Sequence, residues 1–105
     1  MIICNITWNV SAGVLAQWKD WVQYRLLPLI EQMDARQLHF CKLLYQPEDG
    51  LTFTQQIGIS DKQAFEQLQP VLHAELRDML RQMGTSVVFF QTVMEEISLS
   101  EDLST

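Results

Sequence analysis

The chain has 105 residues, of which 48% are hydrophobic, and its formal net charge is −6. This length corresponds to one domain, large enough to bury a core without metals or disulfides. The seven basic residues are spread along the chain rather than clustered, so neither a nucleic acid nor an anionic membrane is expected as a partner.

Residues 2–10 alternate between apolar and polar side chains, a period of two that predicts a strand. The segment has no basic start and is interrupted by polar residues, so it is not expected to be a signal peptide. Because no apolar run approaches the roughly 18 residues of a membrane span, the cytoplasm is the expected compartment. The apolar face of this strand consists of Ile2, Cys4, Ile6, Trp8 and Val10.

A first helix follows, with Ser11 as a plausible N-cap. Pro28 should break this helix near Leu27, giving segments at 12–26 and 28–34. Its apolar stripe, at steps of three and four, consists of Leu15, Trp18, Val22, Leu26, Leu29 and Met33.

A hairpin comes next, with strands at 37–46 and 51–59 joined by the turn Pro47-Glu48-Asp49-Gly50. In the second of these strands Thr52, Thr54 and Gln56 point away from the apolar side chains, which are Leu51, Phe53, Ile57 and Ile59.

The second helix has a capping box, Ser60-Asp61-Lys62-Gln63, with Ser60 as N-cap. Pro70 should divide the helix into pieces near 61–68 and 70–83, and Gly84 should end it. Its stripe consists of Phe65, Leu68, Leu72, Leu76, Met79 and Met83. Residues 86–97 then form the last strand.

The order β-α-β-β-α-β predicts an α+β, ferredoxin-like fold, in which both helices cover one face of a four-stranded antiparallel sheet. We expect one domain over residues 1–97 and a polar tail over 98–105. The first strand is central and the second is at an edge, so Cys4 and Cys41 lie on non-adjacent strands. Both cysteines are expected to be buried, without a disulfide.

The second face of the sheet is poor in charge, because only Lys42 is charged among residues 2–10, 37–46, 51–59 and 86–94. Uncharged polar groups mixed with large apolar ones indicate a covered surface, and a second copy of the chain is the simplest cover. The alternative is a solvated face that uses Thr and Asn. The predicted inter-sheet pocket or dimer face consists of Asn5, Thr7, Asn9, Thr52, Thr54, Gln56, Phe90 and Thr92.

Other candidate residues have structural interpretations. His39 and His73 lack metal-ligand spacing, and we expect no metal and no cofactor. Trp8 and Trp18 are predicted to be core residues, whereas Trp21 lies off the apolar stripe and either covers the sheet edge or meets a partner. Motifs typical of nucleotide binding, serine hydrolysis and zinc proteolysis are missing from the sequence.

Three features resemble a bacterial family, domain of unknown function 4286: the opening MIICN, Trp18-x-x-Trp21 followed by Leu-Leu-Pro at 26–28, and V-V-F-F at 87–90. The family looks like a branch of the dimeric α+β barrel superfamily, and the resemblance covers roughly residues 1–97. It implies a homodimer with a barrel-like interior and no established activity. Relatives often place a His at the position of Leu26, so chemistry that used that His is not expected here.

The superfamily includes haem-degrading monooxygenases, which this chain resembles at Asn5 and at residues 62–65. Their pattern also needs a Trp and a His. Ile59 stands at the Trp position, and His73 comes earlier than the usual ligand, so haem chemistry is not expected.

The sequence therefore predicts a homodimer that binds or senses a small apolar or amphipathic molecule between its sheets, or that mediates assembly. A cofactor-free monooxygenase or isomerase is the alternative, in which Asn5, Thr7 and Asn9 with trapped water polarise a bound aromatic. A purely structural homodimer without a cavity is the third hypothesis.

Overall fold

The computed structural model describes residues 1–46 and 50–100. Residues 47–49 of the turn predicted at 47–50 and residues 101–105 of the predicted tail lie outside the described residues. The predicted order of strands and helices is confirmed. In chain order the elements are β1 (Ile2–Val10), a 3-10 turn (Ala12–Val14), α1 (Leu15–Trp21), a π-helical turn (Val22–Leu26), α2 (Leu27–Gln32), β2 (Arg36–Lys42), β3 (Leu51–Ile59), α3 (Lys62–Met83), a 3-10 turn (Gly84–Ser86) and β4 (Val87–Glu95).

The sheet has the strand order β2-β3-β1-β4, with every neighbouring pair antiparallel. As predicted, β1 is central and β2 is at an edge. Cys4 and Cys41 therefore lie on non-adjacent strands, and both are free thiols. None of the helices in the described part of the chain is long and apolar enough to span a membrane.

Pro28 does not break the first helix, which runs from Leu15 to Gln32 through the π-helical turn. The Leu27 N–H donates to the carbonyl of Val22, five residues back. Proline has no N–H and its ring crowds the carbonyl four residues before it, and a wider turn just before the proline relieves that crowding. The extra residue of the wide turn also shifts the apolar stripe, because Ile30 is completely buried in place of the predicted Leu29.

Pro70 does not divide the second helix either, since α3 is continuous from Lys62 to Met83. Because Pro70 has no N–H, the carbonyl of Glu66, four residues earlier, loses its hydrogen-bond donor. Both residues lie on the exposed side of the helix. Water can solvate that carbonyl, and the apolar side of the helix remains packed on the sheet.

The ends of the helices differ slightly from prediction. The N-cap of α3 is Asp61, whose Oδ1 accepts a 2.8 Å hydrogen bond from the Ala64 N–H, so the prediction of Ser60 was wrong. Ser11 precedes the first 3-10 turn but makes no side-chain capping bond. Gly84 ends α3 as predicted, with a φ of 57° that glycine adopts without steric cost.

Strand β2 ends at Lys42 rather than continuing to residue 46. Leu43 still donates from its N–H to the Thr52 carbonyl at 3.0 Å, but the side chain of Gln46 replaces the backbone beyond that point. Its Oε1 accepts from the Thr52 N–H at 2.7 Å and its Nε2 donates to the Leu43 carbonyl at 2.8 Å. The side-chain amide of Gln46 therefore holds residues 43–46 against β3.

The core lies between the sheet and the helices, and Trp8 and Trp18 are both buried in it, as predicted. The ring centroid of Trp8 is 5.6 Å from that of Trp18 and 5.8 Å from that of Trp21, both in edge-on geometry. Trp21, whose role the sequence left open, is buried, and its Nε1 donates to Glu75 Oε1 at 3.2 Å. The Arg25 Nε lies 3.3 Å from the same oxygen, so one carboxylate joins the first helix to α3.

Candidate functional site

No helix in the described part of the chain covers one face of the sheet, and strand alternation decides which residues occupy that face. In β1 the residues Cys4, Ile6, Trp8 and Val10 are completely buried under the helices, so their neighbours point the other way. Residues directly opposite one another in the strand pairs share a face. The helix-free face therefore consists of Ile3, Asn5, Thr7, Asn9, Arg36, His39, Cys41, Thr52, Thr54, Gln56, Gly58, Val88, Phe90, Thr92 and Met94.

All eight residues of the predicted pocket or dimer face lie on this face. Asn5 stands between Gln56 of β3 and Thr92 of β4. Thr7 stands in the same way between Thr54 and Phe90. The remaining pair, Asn9 and Thr52, is also directly opposed. The register thus brings the eight residues together as adjoining rows.

The polar side chains of these rows bond to one another within the plane of the sheet. The amide of Asn9 donates from Nδ2 to Thr52 Oγ1 at 3.2 Å, and Asn5 Nδ2 donates to Thr7 Oγ1 at 3.4 Å. Thr52, which accepts the bond from Asn9, is only 9% exposed. Because these groups are partly satisfied laterally, covering the face costs less than covering unpaired amides would.

Charge is nearly absent from the helix-free face. Lys42, the one charge in the predicted strands, is opposite Phe53 and therefore lies on the helix side. Arg36, at the start of β2, is the one formally charged residue among those described on the face, and it occupies a corner. An antiparallel sheet face in open water normally alternates with charged side chains, so this composition is typical of a covered face.

Strand β4 adds an exposed apolar stripe to the face. Phe90 is 61% exposed, Val88 59% and Met94 39%. Sequence reasoning placed Phe90 here but left out Val88, although the alternation within V-V-F-F assigns both to the same side. Exposed apolar side chains in a row, unlike single ones, indicate an interaction surface.

Cys41 also lies on this face, opposite Thr54, and it is exposed. The prediction that it would be buried was wrong, because β2 is an edge strand and no helix covers that side. Cys4 is buried under the helices, as predicted. Burial raises the pKa of this thiol. The 3.0 Å hydrogen bond that its Sγ accepts from Gln91 Nε2 has the opposite, smaller effect.

The residues of the haem-binding pattern do not meet in one protomer. Asn5 is on the helix-free face, whereas His73 is exposed on α3, on the opposite side of the sheet, where its Nε2 is 2.9 Å from Gln69 Nε2. His39 is exposed on the helix-free face. Within residues 1–46 and 50–100, no three His, Cys, Asp or Glu side chains come together as a set that could hold a metal ion.

The fold defined by this sheet and the single layer of helices on it is ferredoxin-like, and solved structures share it. A Deinococcus radiodurans protein described as a candidate antibiotic biosynthesis monooxygenase is 18% identical, with a TM-score of 0.68 over 93% of this chain and 94% of that chain. An uncharacterised NIPSNAP domain protein from Burkholderia xenovorans is 15% identical, with a TM-score of 0.63 over 97% of this chain and 100% of that chain.

A third structure, a dimeric ferredoxin-like protein from an uncultured marine organism, is 10% identical, with a TM-score of 0.58 over 96% of each chain. At these identities the likeness concerns the fold alone. The chain belongs to the family described as Domain of unknown function (DUF4286), which it matches over residues 1–97. No curated protein matches it at a significant level.

Proposed function

We propose that this protein works as a homodimer that assembles through the helix-free face of the sheet. The observation that carries the proposal is the composition of that face: an exposed apolar stripe lies beside rows of uncharged polar groups, and Arg36, at one corner, is the single charge among its described residues. A face of this kind is self-complementary under a two-fold axis, because apolar stripes and amide rows of two copies can meet their equivalents.

The apolar stripe supplies the driving force. Covering the exposed part of Phe90 removes on the order of 100 Å² of apolar surface from water, which contributes about 2.5 kcal/mol at about 25 cal/mol per Å². Val88 and Met94 extend the same surface along β4. Aromatic and methionine side chains are enriched at protein interfaces, in agreement with this role.

The area of the face is sufficient for a specific interface. Four strands about 4.8 Å apart and about 30 Å long present roughly 570 Å². Two such faces bury roughly 1,100 Å², just above the roughly 1,000 Å² that a biological interface should exceed. Because Arg36 is at a corner, it can keep its charge in water, and no charged group has to be desolvated at the centre.

A small uncharged or amphipathic molecule held between the two sheets is the second candidate. It is favoured by the rows around Asn5 and Thr7, whose amide and hydroxyl groups would line any space left between the copies. The cofactor-free monooxygenase or isomerase alternative gains only the name of the Deinococcus protein as further support, and at 18% identity that likeness concerns the fold alone. We therefore propose assembly first and a bound ligand second.

We propose the cytoplasm as the compartment of the dimer. Cys41 is a free thiol that is exposed in the single protomer and therefore open to oxidation until the dimer forms, and such thiols persist where glutathione and thioredoxin keep them reduced.

Matched charge insertions test the assembly. Phe90→Lys places a lysine on the apolar stripe, whereas Tyr24→Lys places one at a 71% exposed aromatic on the π-helical turn, on the other side of the sheet. We expect Phe90→Lys to raise the Kd of self-association, measured by sedimentation velocity, by on the order of a hundredfold, as for a large aromatic residue buried in an interface. Tyr24→Lys should sediment like the wild type.

Equal sedimentation of the two variants would contradict assembly through this face. Native mass spectrometry of the purified dimer tests the second candidate separately. A mass above that of two chains supports a retained molecule, and a mass equal to two chains, with no compound released on denaturation, contradicts it.

A further inference from the structure

A groove of about 330 Å³ lies on the helix side of the sheet, between α1 and the edge strand β2. Its walls come from segments far apart in the sequence. The aromatic rings of Trp18, Phe40 and Phe53 and the side chains of Lys19 and Lys42 line it. Because the helix-free face is on the opposite side of the sheet, dimerisation there leaves this groove open, and its role is independent of the proposed dimer.

The apolar part of the groove is a cluster of three aromatic rings. The centroid of Trp18 is 4.8 Å from that of Phe53 and 5.9 Å from that of Phe40, and Phe40 and Phe53 are 6.2 Å apart. Phe40 is 37% exposed although its two partners are almost completely buried. A partly uncovered ring at the edge of an aromatic cluster offers a flat surface to another aromatic ring.

The polar part of the groove is positively charged, in a chain whose net charge is −6. The chain has three lysines, and two of them, Lys19 and Lys42, line this one groove. Among the described residues neither forms an ion pair, and no carboxylate lines the groove. Two cations without partners beside an apolar wall complement an anion attached to an apolar body.

The indole of Trp18 supplies a third observation. The other two indoles have acceptors, Gln55 for Trp8 and Glu75 for Trp21. Trp18 is 1% exposed, and its Nε1 is buried with no hydrogen-bond partner among the described residues. A buried donor without an acceptor is rare in proteins and calls for an explanation. Because Trp18 lines the groove, an oxygen of a bound ligand is one explanation that fits.

We propose that this groove binds a small planar aromatic carboxylate. Its ring packs against the exposed part of Phe40, beside the edge of Trp18, and its carboxylate lies between the ammonium groups of Lys19 and Lys42. The groove volume accommodates one or two fused rings. The lysine stems add apolar contact along the ring edges, while their charged ends select against neutral and cationic analogues.

Titration with 2-naphthoate and 2-naphthamide, followed by NMR of the three indole N–H signals, tests the proposal. We expect 2-naphthoate to bind at least tenfold more tightly than 2-naphthamide and to shift the Trp18 signal most. Lys19→Met and Lys42→Met keep the apolar stems and remove the charge, so each should weaken 2-naphthoate by about tenfold, the loss expected for one charge-assisted contact. Lys62→Met, at the start of α3, is the matched control and should change nothing.

Three results would overturn the proposal. They are no binding of 2-naphthoate at millimolar concentration, equal affinity for the acid and the amide, and equal weakening by Lys62→Met and Lys42→Met.

Discussion

Trp8 Nε1 donates a 3.0 Å hydrogen bond to Oε1 of Gln55, and both side chains are completely buried between sheet and helices. Gln55 in turn donates from Nε2 to Gln37 Oε1 at 3.0 Å. One amide therefore links three neighbouring strands. We expect Gln55→Leu to lower the free energy of unfolding by about 1–3 kcal/mol, because the indole N–H of Trp8 then stays buried without an acceptor.

Urea unfolding followed by tryptophan fluorescence measures this change. Gln17→Leu, at an exposed position of α1, is the control and should lie within about 0.5 kcal/mol of the wild type. Unfolding midpoints for Gln55→Leu and the wild type that coincide would show that the buried amide is replaceable.

Pro70 gives a prediction in the opposite direction. The proline sits inside the continuous helix α3 at an exposed position, where it leaves one backbone carbonyl to water. We expect Pro70→Ala to stabilise the protein by about 1–3 kcal/mol, because alanine restores the hydrogen bond and has the better helix propensity. The midpoint of urea unfolding should rise, and an unchanged or lower midpoint would mean that the helix depends on its proline.

The two prolines also show where sequence reasoning failed. Local rules predicted breaks at Pro28 and Pro70, but tertiary packing of both apolar stripes holds the helices together. A π-helical turn accommodates Pro28, and the Glu66 carbonyl that Pro70 leaves without a donor is at an exposed position, where water can solvate it. Neither solution can be seen in a local pattern, because each depends on which side of the helix faces the sheet.

Alternation, in contrast, predicted the bounds of β1 and β3 and the shared face of residues such as Asn5 and Thr54, because a period of two is a strictly local property. The same rule assigns Gln55 to the core side, although a polar residue at that position interrupts the apolar pattern of β3. The groove was not predictable, because Lys19 and Lys42 meet only after the first helix packs beside the edge strand.

Cys4 should make stability depend on pH in alkaline solution. Burial raises the pKa of this thiol above its ordinary value of 9.0 in the folded chain. Its contribution is therefore fully present below about pH 9 and is lost as the pH rises toward the folded pKa, because the unfolded chain releases the proton first. We expect the free energy of unfolding to fall by at most about 1.4 kcal/mol per pH unit in that window.

Urea unfolding between pH 8 and pH 10.5 measures this dependence. Cys4→Ala should flatten the decline, whereas Cys41→Ala, which retains Cys4, should keep it. Identical slopes for the two variants would mean that other groups cause the decline.

Cys41 provides a probe of the proposed dimer. It is exposed on the helix-free face, whereas Cys4 is buried, so a maleimide should label Cys41 first. We expect the labelling rate of the dimer to be at least several-fold lower than that of Phe90→Lys, because a partner sheet covers the thiol. Equal rates in the two proteins, at concentrations where the wild type is dimeric, would place the interface elsewhere.

The mass of the unmodified chain in solution tests the central claim most directly. Sedimentation equilibrium at micromolar concentration should give 24.4 kDa, twice the 12.2 kDa of one chain. A mass of 12.2 kDa under these conditions, with the Asn5 and Thr54 side chains exchanging freely with water, would contradict the account.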